Sequence, residues 1–223
     1  MLTFSMFLGW KYQIAKCNSL EEMQQKLEKV LKEEGEESDN AIQLYFDICF
    51  WYMNRGQKEE SLQSLEKYLE LLKRKYGNQS SQYSRALTQV ASVFVFFHNH
   101  KKAIEFLEEA IQLDKQLYGE SHRFIGQAYF NLGAIQSMIG QNNSAIKNLE
   151  KSVEILERAE GDINHLLTTS LGTLADLYRN IGMRNKALDT YIKLYDLNVR
   201  LYGENYIPNR TIKENIDNLS KAV

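Results

Sequence analysis

An all-α chain built from helices in pairs is the fold class this sequence predicts, and three observations predict it. The first is a phrase that returns. QLYGE at residues 116–120 reappears as RLYGE at 200–204, with RKYGN at 74–78, so that Tyr76, Tyr118 and Tyr202 stand 42 and then twice 42 residues apart. A fixed period of this length marks a row of like units. The second is composition: one proline in 223 residues, frequent Leu, Glu, Lys and Gln, and no alternating valine-rich runs, which favour helix over strand. The third is spacing, because apolar residues recur at offsets of three and four, the signature of one helical stripe.

A step of 42 residues lays the copies over one another. In the first helix of each pair, helix A, a large apolar column reads Tyr45, Leu87, Tyr129, Leu171, and three residues on comes Ile48, Val90, Leu132, Leu174. A small column follows directly, Cys49, Ala91, Gly133, Ala175, and then an aromatic one, Tyr52, Phe94, Gln136, Tyr178. Helix A ends at Gly56, His98, Gly140 and Gly182, where glycine supplies a left-handed cap cheaply. After a short polar turn the stripe restarts at Ser61, Ala103, Ala145, Ala187. It runs through Leu65, Leu107, Leu149, Tyr191 and Leu71, Leu113, Ile155, Leu197 to Gly77, Gly119, Gly161 and Gly203. That is helix B, and the recurring phrase is its end. The small column predicts that the backbones of two helices approach closely there, where a larger side chain overpacks.

This series of large, large, small, aromatic, glycine and alanine positions resembles the tetratricopeptide repeat, in the 42-residue form of kinesin light chains. Four full repeats cover 42–209; a degenerate N-terminal copy occupies 1–41, with Trp10 in the aromatic column and Gly35 at its end; and 210–223 reads as a C-terminal capping helix. About five helical hairpins plus that helix are expected. The resemblance implies an α-α superhelix, a tetratricopeptide solenoid, with the A helices lining its concave side. The family's usual proline late in helix B is missing, and His98 and Gln136 depart singly from their columns.

Charge and cysteine content exclude several classes of function. A net charge of −2 without a basic stripe excludes general attraction to nucleic acid. Two cysteines, Cys17 and Cys49, suit a reducing compartment and leave no metal-ligand spacing. No apolar run approaches the roughly 20 residues that span a bilayer. A cytoplasmic protein is expected, although the opening MLTFSMFLGWKYQIAK, with lysines and no acid, keeps mitochondrial import as an alternative. The other reading of that segment is an apolar first helix, including Leu2, Phe4, Met6, Phe7, Leu8 and Trp10, that docks on a partner.

No enzyme signature emerges. His98 to His100 spell HNH within a turn, His122 and His165 stand alone, and no phosphate-binding glycine loop or GxSxG is present. No cofactor, metal or catalytic residue is expected. Acidic and basic residues of the B helices, such as Glu66, Lys67, Glu70, Glu105, Glu108 and Glu109, read as a solvated face.

Candidate contact residues lie on helix A, off the packing stripe. Just before the Ile48 column runs a hydrogen-bonding series, Asp47, Gln89, Asn131, Thr173. The resemblance implies a role here: in kinesin-light-chain-like proteins an asparagine at this place binds the main chain of an extended peptide, and Asn131 alone matches it. One residue earlier stand Phe46, Thr88, Phe130 and Gly172; farther along come Phe50, Phe96 and Met138, with Asp176 and Arg179 making one end polar. Phe46, Asp47, Phe50, Gln89, Phe96, Phe130, Asn131, Met138, Asp176 and Arg179 are therefore the expected partner-binding residues. With Arg85 and Arg179 as the expected groove cations, a clamp for an acidic C-terminus is disfavoured. The expected function is a non-enzymatic scaffold or adaptor that holds a peptide or helix of another protein in its concave groove. The alternative is a structural subunit embedded in a large assembly.

Overall fold

The computed structural model describes residues 19–161 and 163–221. Among them are ten α-helices and no strand: α1 Leu20–Glu33, α2 Asp39–Met53, α3 Lys58–Tyr76, α4 Ser81–Phe96, α5 His100–Tyr118, α6 Arg123–Met138, α7 Asn142–Arg158, α8 Asn164–Asn180, α9 Arg184–Tyr202 and α10 Pro208–Lys221. Helices α2, α4, α6 and α8 are the A helices, and α3, α5, α7 and α9 the B helices. The apolar segment from Leu2 to Trp10 lies outside the described residues. The helices group into two units, one up to Leu113 and one from Asp114, with the boundary inside α5.

In the first unit, α1 packs on α2 through Val30, Ala41 and Leu44, with Leu27 and Leu31 at the margin. The small column then brings α2 against α3. Cys49 and Ser61 are fully buried, and the Ser61 hydroxyl donates to the Cys49 carbonyl at 3.0 Å, a bond that needs the two backbones close together. Burial pushes the Cys49 thiol up to about 11, so this cysteine packs as a small apolar residue rather than reacting. Helices α4 and α5 close on Leu87, Ala110 and Leu113, while Phe94 stacks on Phe106 with centroids 5.3 Å apart.

The second unit buries a longer core that includes Leu149, Leu156, Leu171, Leu174, Tyr191 and Ile212. Gly133 explains its column directly. A Cβ added there would lie 2.8 Å from Leu149 Cγ and 3.1 Å from both the Ala145 oxygen and the Leu149 nitrogen, so α6 has no room for a side chain against α7. Gln136, the departure from the aromatic column, is buried and accepts a hydrogen bond from the Asn148 amide at 2.6 Å. A polar pair thus replaces ring packing within one hairpin.

Helix starts carry a second periodic signal. Ser38, Ser80 and His122, each 42 residues apart, cap α2, α4 and α6 by accepting from Ala41, Tyr83 and Phe124 backbone N–H groups at 3.2, 3.2 and 3.4 Å. The recurring tyrosines also have defined neighbours. Tyr118 stacks on His122 at 4.4 Å, and Tyr202 meets Tyr206 at 4.6 Å, each packing on the connector that follows. Tyr76 instead donates to Asp39 at the start of α2.

Asp39 belongs to an exposed ion-pair network around the α1–α2 connector: Lys75 to Asp39 at 2.6 Å, Lys67 to Glu36 at 2.8 Å, and Arg74 to Glu36 and Glu37 at 3.2 and 2.7 Å. Hydrogen bonds from Lys67 and Lys75 hold the carboxyls of Glu36 and Asp39 below the usual range. Solvent screens such pairs, so they set the register of α3 against the connector more than they hold the unit together.

His98 stands where the equivalent turns have glycine, and it adopts the same left-handed backbone, φ 57°, as Gly140 at φ 77°. A side chain there clashes with the following carbonyl, at a cost of about 1 kcal/mol. His98→Gly is expected to raise stability by up to about 1 kcal/mol, measured as the shift in urea midpoint at unchanged slope. A lower midpoint would show that the imidazole makes a compensating contact.

Candidate peptide-binding face

The four residues that precede the Ile48 column share a place on their helices but not an environment. Asp47, on α2, is half-buried and accepts from the Gln43 amide at 2.9 Å. Burial pushes its carboxyl above the usual range, opposed by the Gln43 hydrogen bond and the field of Lys26. Gln89, on α4, is half-buried too, and its oxygen accepts from the Tyr68 hydroxyl at 2.6 Å. That bond fixes which way the amide points, leaving Nε2 as its remaining donor. Burial raises the Tyr68 phenol far above its ordinary value, which keeps the donating proton in place.

In the second unit, Thr173 on α8 is buried and spends its hydroxyl on the Thr169 carbonyl one turn back, at 2.9 Å. Asn131 on α6 differs from all three. It is 3% exposed, and among the described residues neither Oδ1 nor Nδ2 has a hydrogen-bond partner. A carboxamide in this condition carries one unmet donor and one unmet acceptor, each costing about 1–3 kcal/mol in an interior. The pair matches the C=O and N–H of one residue of an extended chain.

The aromatic residues expected beside this series are corrected by the structure. Phe46 is 1% exposed, stacks on Tyr68 at 4.7 Å and meets Phe50, also buried, edge-on at 5.0 Å. Phe130 is buried in the core of the second unit. The reason is competition: each ring gains more by packing against its partner helix than by facing solvent, about 1.5–3 kcal/mol when fully buried. Phe46, Phe50 and Phe130 are therefore buried in the free chain and present no contact surface there.

Phe96 and Met138 end the A helices α4 and α6 and are exposed, Met138 by 50%. Asp176 and Arg179 pair with one another at 3.1 Å. Asp176 also accepts from the Tyr191 hydroxyl at 2.5 Å, and Arg179 donates to Asn215 at 2.8 Å. Their charges thus tie α8 to α9 and to the capping helix α10. Among the described residues no three His, Cys, Asp or Glu side chains gather as metal ligands would. No described helix is long and apolar enough to cross a membrane.

Sequence reasoning missed Tyr68. Its 42-residue equivalents are Ala110, Ser152 and Leu194, so one aromatic hydroxyl among small or apolar residues was the available signal. A phenol placed there reaches the next A helix, where Gln89 stands.

Similarity to known proteins agrees with this architecture. A family model described as tetratricopeptide repeat matches residues 40–116 and 97–158. No curated protein sequence matches the chain. Among solved structures, BtubC (BKLC) from P. vanneervenii is similar with a TM-score of 0.71 at 17% identity, covering 90% of this chain and 78% of that one. The nearly identical TPR-like repeats of a kinesin light chain from Podosopora anserina give 0.66 at 16% identity, over 90% of this chain and 94% of that one. A Rap protein complexed with competence and sporulation factor gives 0.64 at 17% identity, over 96% of this chain and 62% of that one. At such identities the likeness is one of fold. With the family model matching more than half of its length, and with helical hairpins at the expected period, the chain belongs to the tetratricopeptide repeat family.

Proposed function

We propose that this chain is a non-enzymatic scaffold or adaptor that binds extended protein segments through polar residues of its A helices, Gln89 in the first unit and Asn131 in the second. One observation carries the reading: the Asn131 carboxamide, buried in the free chain with both polar atoms unpartnered among the described residues, offers a donor and an acceptor that a peptide main-chain group would satisfy once binding uncovers them. Main-chain hydrogen bonds of this kind fix the direction of a bound segment with little dependence on its sequence. In the first unit, the Gln89 amide, oriented by Tyr68, offers a main-chain donor of its own on α4. The Rap structure, named as a complex with competence and sporulation factor, supports a binding use of this fold. A reducing compartment such as the cytoplasm suits a chain with two cysteines, of which Cys49 is free and buried.

The test compares the wild-type chain with the Asn131→Ala, Gln89→Ala double variant as baits in affinity purification from the native source, with quantitative mass spectrometry. A partner retained by the wild type and depleted at least about tenfold by the double variant, both folded by circular dichroism, is the expected result; two lost main-chain bonds are worth about 1–3 kcal/mol. Equal recovery on both baits would overturn the assignment.

A further inference from the structure

We propose that the segment bound at the first unit carries one lysine or arginine, seated against Asp47. The inference rests on the peptide-binding reading above and adds the partner's chemistry to it.

Asp47 is unlike the other acids whose environment is perturbed. Glu36, Asp39, Glu150 and Glu154 each have a lysine or arginine in an ion pair. Asp47 is half-buried, and among the described residues it has a hydrogen bond from neutral Gln43 and no ion pair; Lys26 acts on it through its field alone. Its position in the peptide-binding series, immediately before buried Ile48, places a partly desolvated carboxylate on the face argued to receive the partner. Such a carboxylate costs free energy in the free chain, and a cation delivered by the ligand recovers it. The desolvation is already present before binding, so the new pair gains more than one formed in open water.

The same face argues against a run of basic residues. Arg85, one turn before Gln89 on α4, is exposed and forms no ion pair among the described residues; its field reaches Tyr68. A polybasic segment would meet this guanidinium with like charge, whereas a single cation near α2 avoids it. Gln89 Nε2, left as a donor by the Tyr68 bond, would take a main-chain carbonyl of the same segment. The ligand chemistry is therefore an extended segment with one basic side chain at a fixed distance from a main-chain anchor.

The experiment is a selection from a displayed library of random dodecapeptides on the full-length chain, run in parallel on wild type, Asp47→Asn and Asp47→Glu. Expected is enrichment of Lys or Arg at one position on wild type and Asp47→Glu, and loss of that enrichment on Asp47→Asn. A selected lysine peptide should bind Asp47→Asn about tenfold more weakly than wild type, and its norleucine analogue should bind both alike. Thermal melts of the three proteins confirm that each is folded. Peptides selected by wild type without a basic preference, or with the same preference on Asp47→Asn, would overturn this inference and leave the peptide-binding reading standing. Failure of every protein to enrich any peptide would overturn both.

Discussion

Asn131→Leu is expected to raise the melting temperature of the free chain while weakening partner binding by about tenfold to a hundredfold. The two effects have one origin. Oδ1 and Nδ2 of Asn131 are buried without partners among the described residues, so replacing the amide by an apolar group of the same branching removes a desolvation cost of at least about 2 kcal/mol. For a chain of 223 residues that corresponds to roughly 2–4 °C per kcal/mol. Leucine also has the higher helix propensity within α6. The same change deletes the donor and acceptor that a peptide group would use, at about 1.4 kcal/mol per tenfold in affinity. Differential scanning calorimetry and isothermal titration read the two effects separately. A lower melting temperature would mean that the amide is satisfied within the free chain, and the site would lose its rationale.

Gly133→Leu is expected to cost at least about 3 kcal/mol of stability, more than typical overpacking, because nothing around it can yield easily. Even the first carbon of a side chain would lie 2.8 Å from Leu149 Cγ and 3.1 Å from two backbone atoms of α7. Overpacking by repositioned side chains costs about 1–3 kcal/mol, and here the backbones of α6 and α7 must separate as well. Gly172 is the internal control. A Cβ there would meet Leu194 Cδ2 at an ordinary 3.6 Å, so Gly172→Ala should stabilise α8 by up to about 1 kcal/mol. Urea titrations of the two variants should therefore move in opposite directions. Equal destabilisation by both would mean that glycine matters for some reason other than helix approach.

The repeat was legible because its determinants are local. Columns such as Cys49, Ala91, Gly133 and Ala175 record the contact within each hairpin, and that contact recurs at a fixed offset in the chain. What the period could not express was less visible. Phe46 occupies a position where a ring can face outward or inward, and the Tyr68 ring it stacks on stands on another helix, outside the aligned columns. The same tyrosine commits the Gln89 oxygen, so two contacts of the candidate face involve one unread residue. Asp176 and Arg179 read as groove polarity, yet their partners Tyr191 and Asn215 lie on the following two helices and turn them toward the capping end. The caps at Ser38, Ser80 and His122 were periodic and therefore readable, but an imidazole in a serine column disguised the series. Asn131 was identified by resemblance; its isolation from every hydrogen-bond partner is a property of the packed structure alone.

The central claim is that one buried carboxamide waits for a peptide group, and nuclear magnetic resonance of the Asn131 side-chain amide examines it at the atoms concerned. The two Nδ2 protons are assigned by their disappearance in Asn131→Leu and followed as a peptide that binds the wild-type chain but not Asn131→Leu is added to the full-length chain. A downfield shift with slowed solvent exchange at saturation is the expected result. An Asn131 amide whose shift and exchange stay unchanged while the peptide saturates the protein would contradict it.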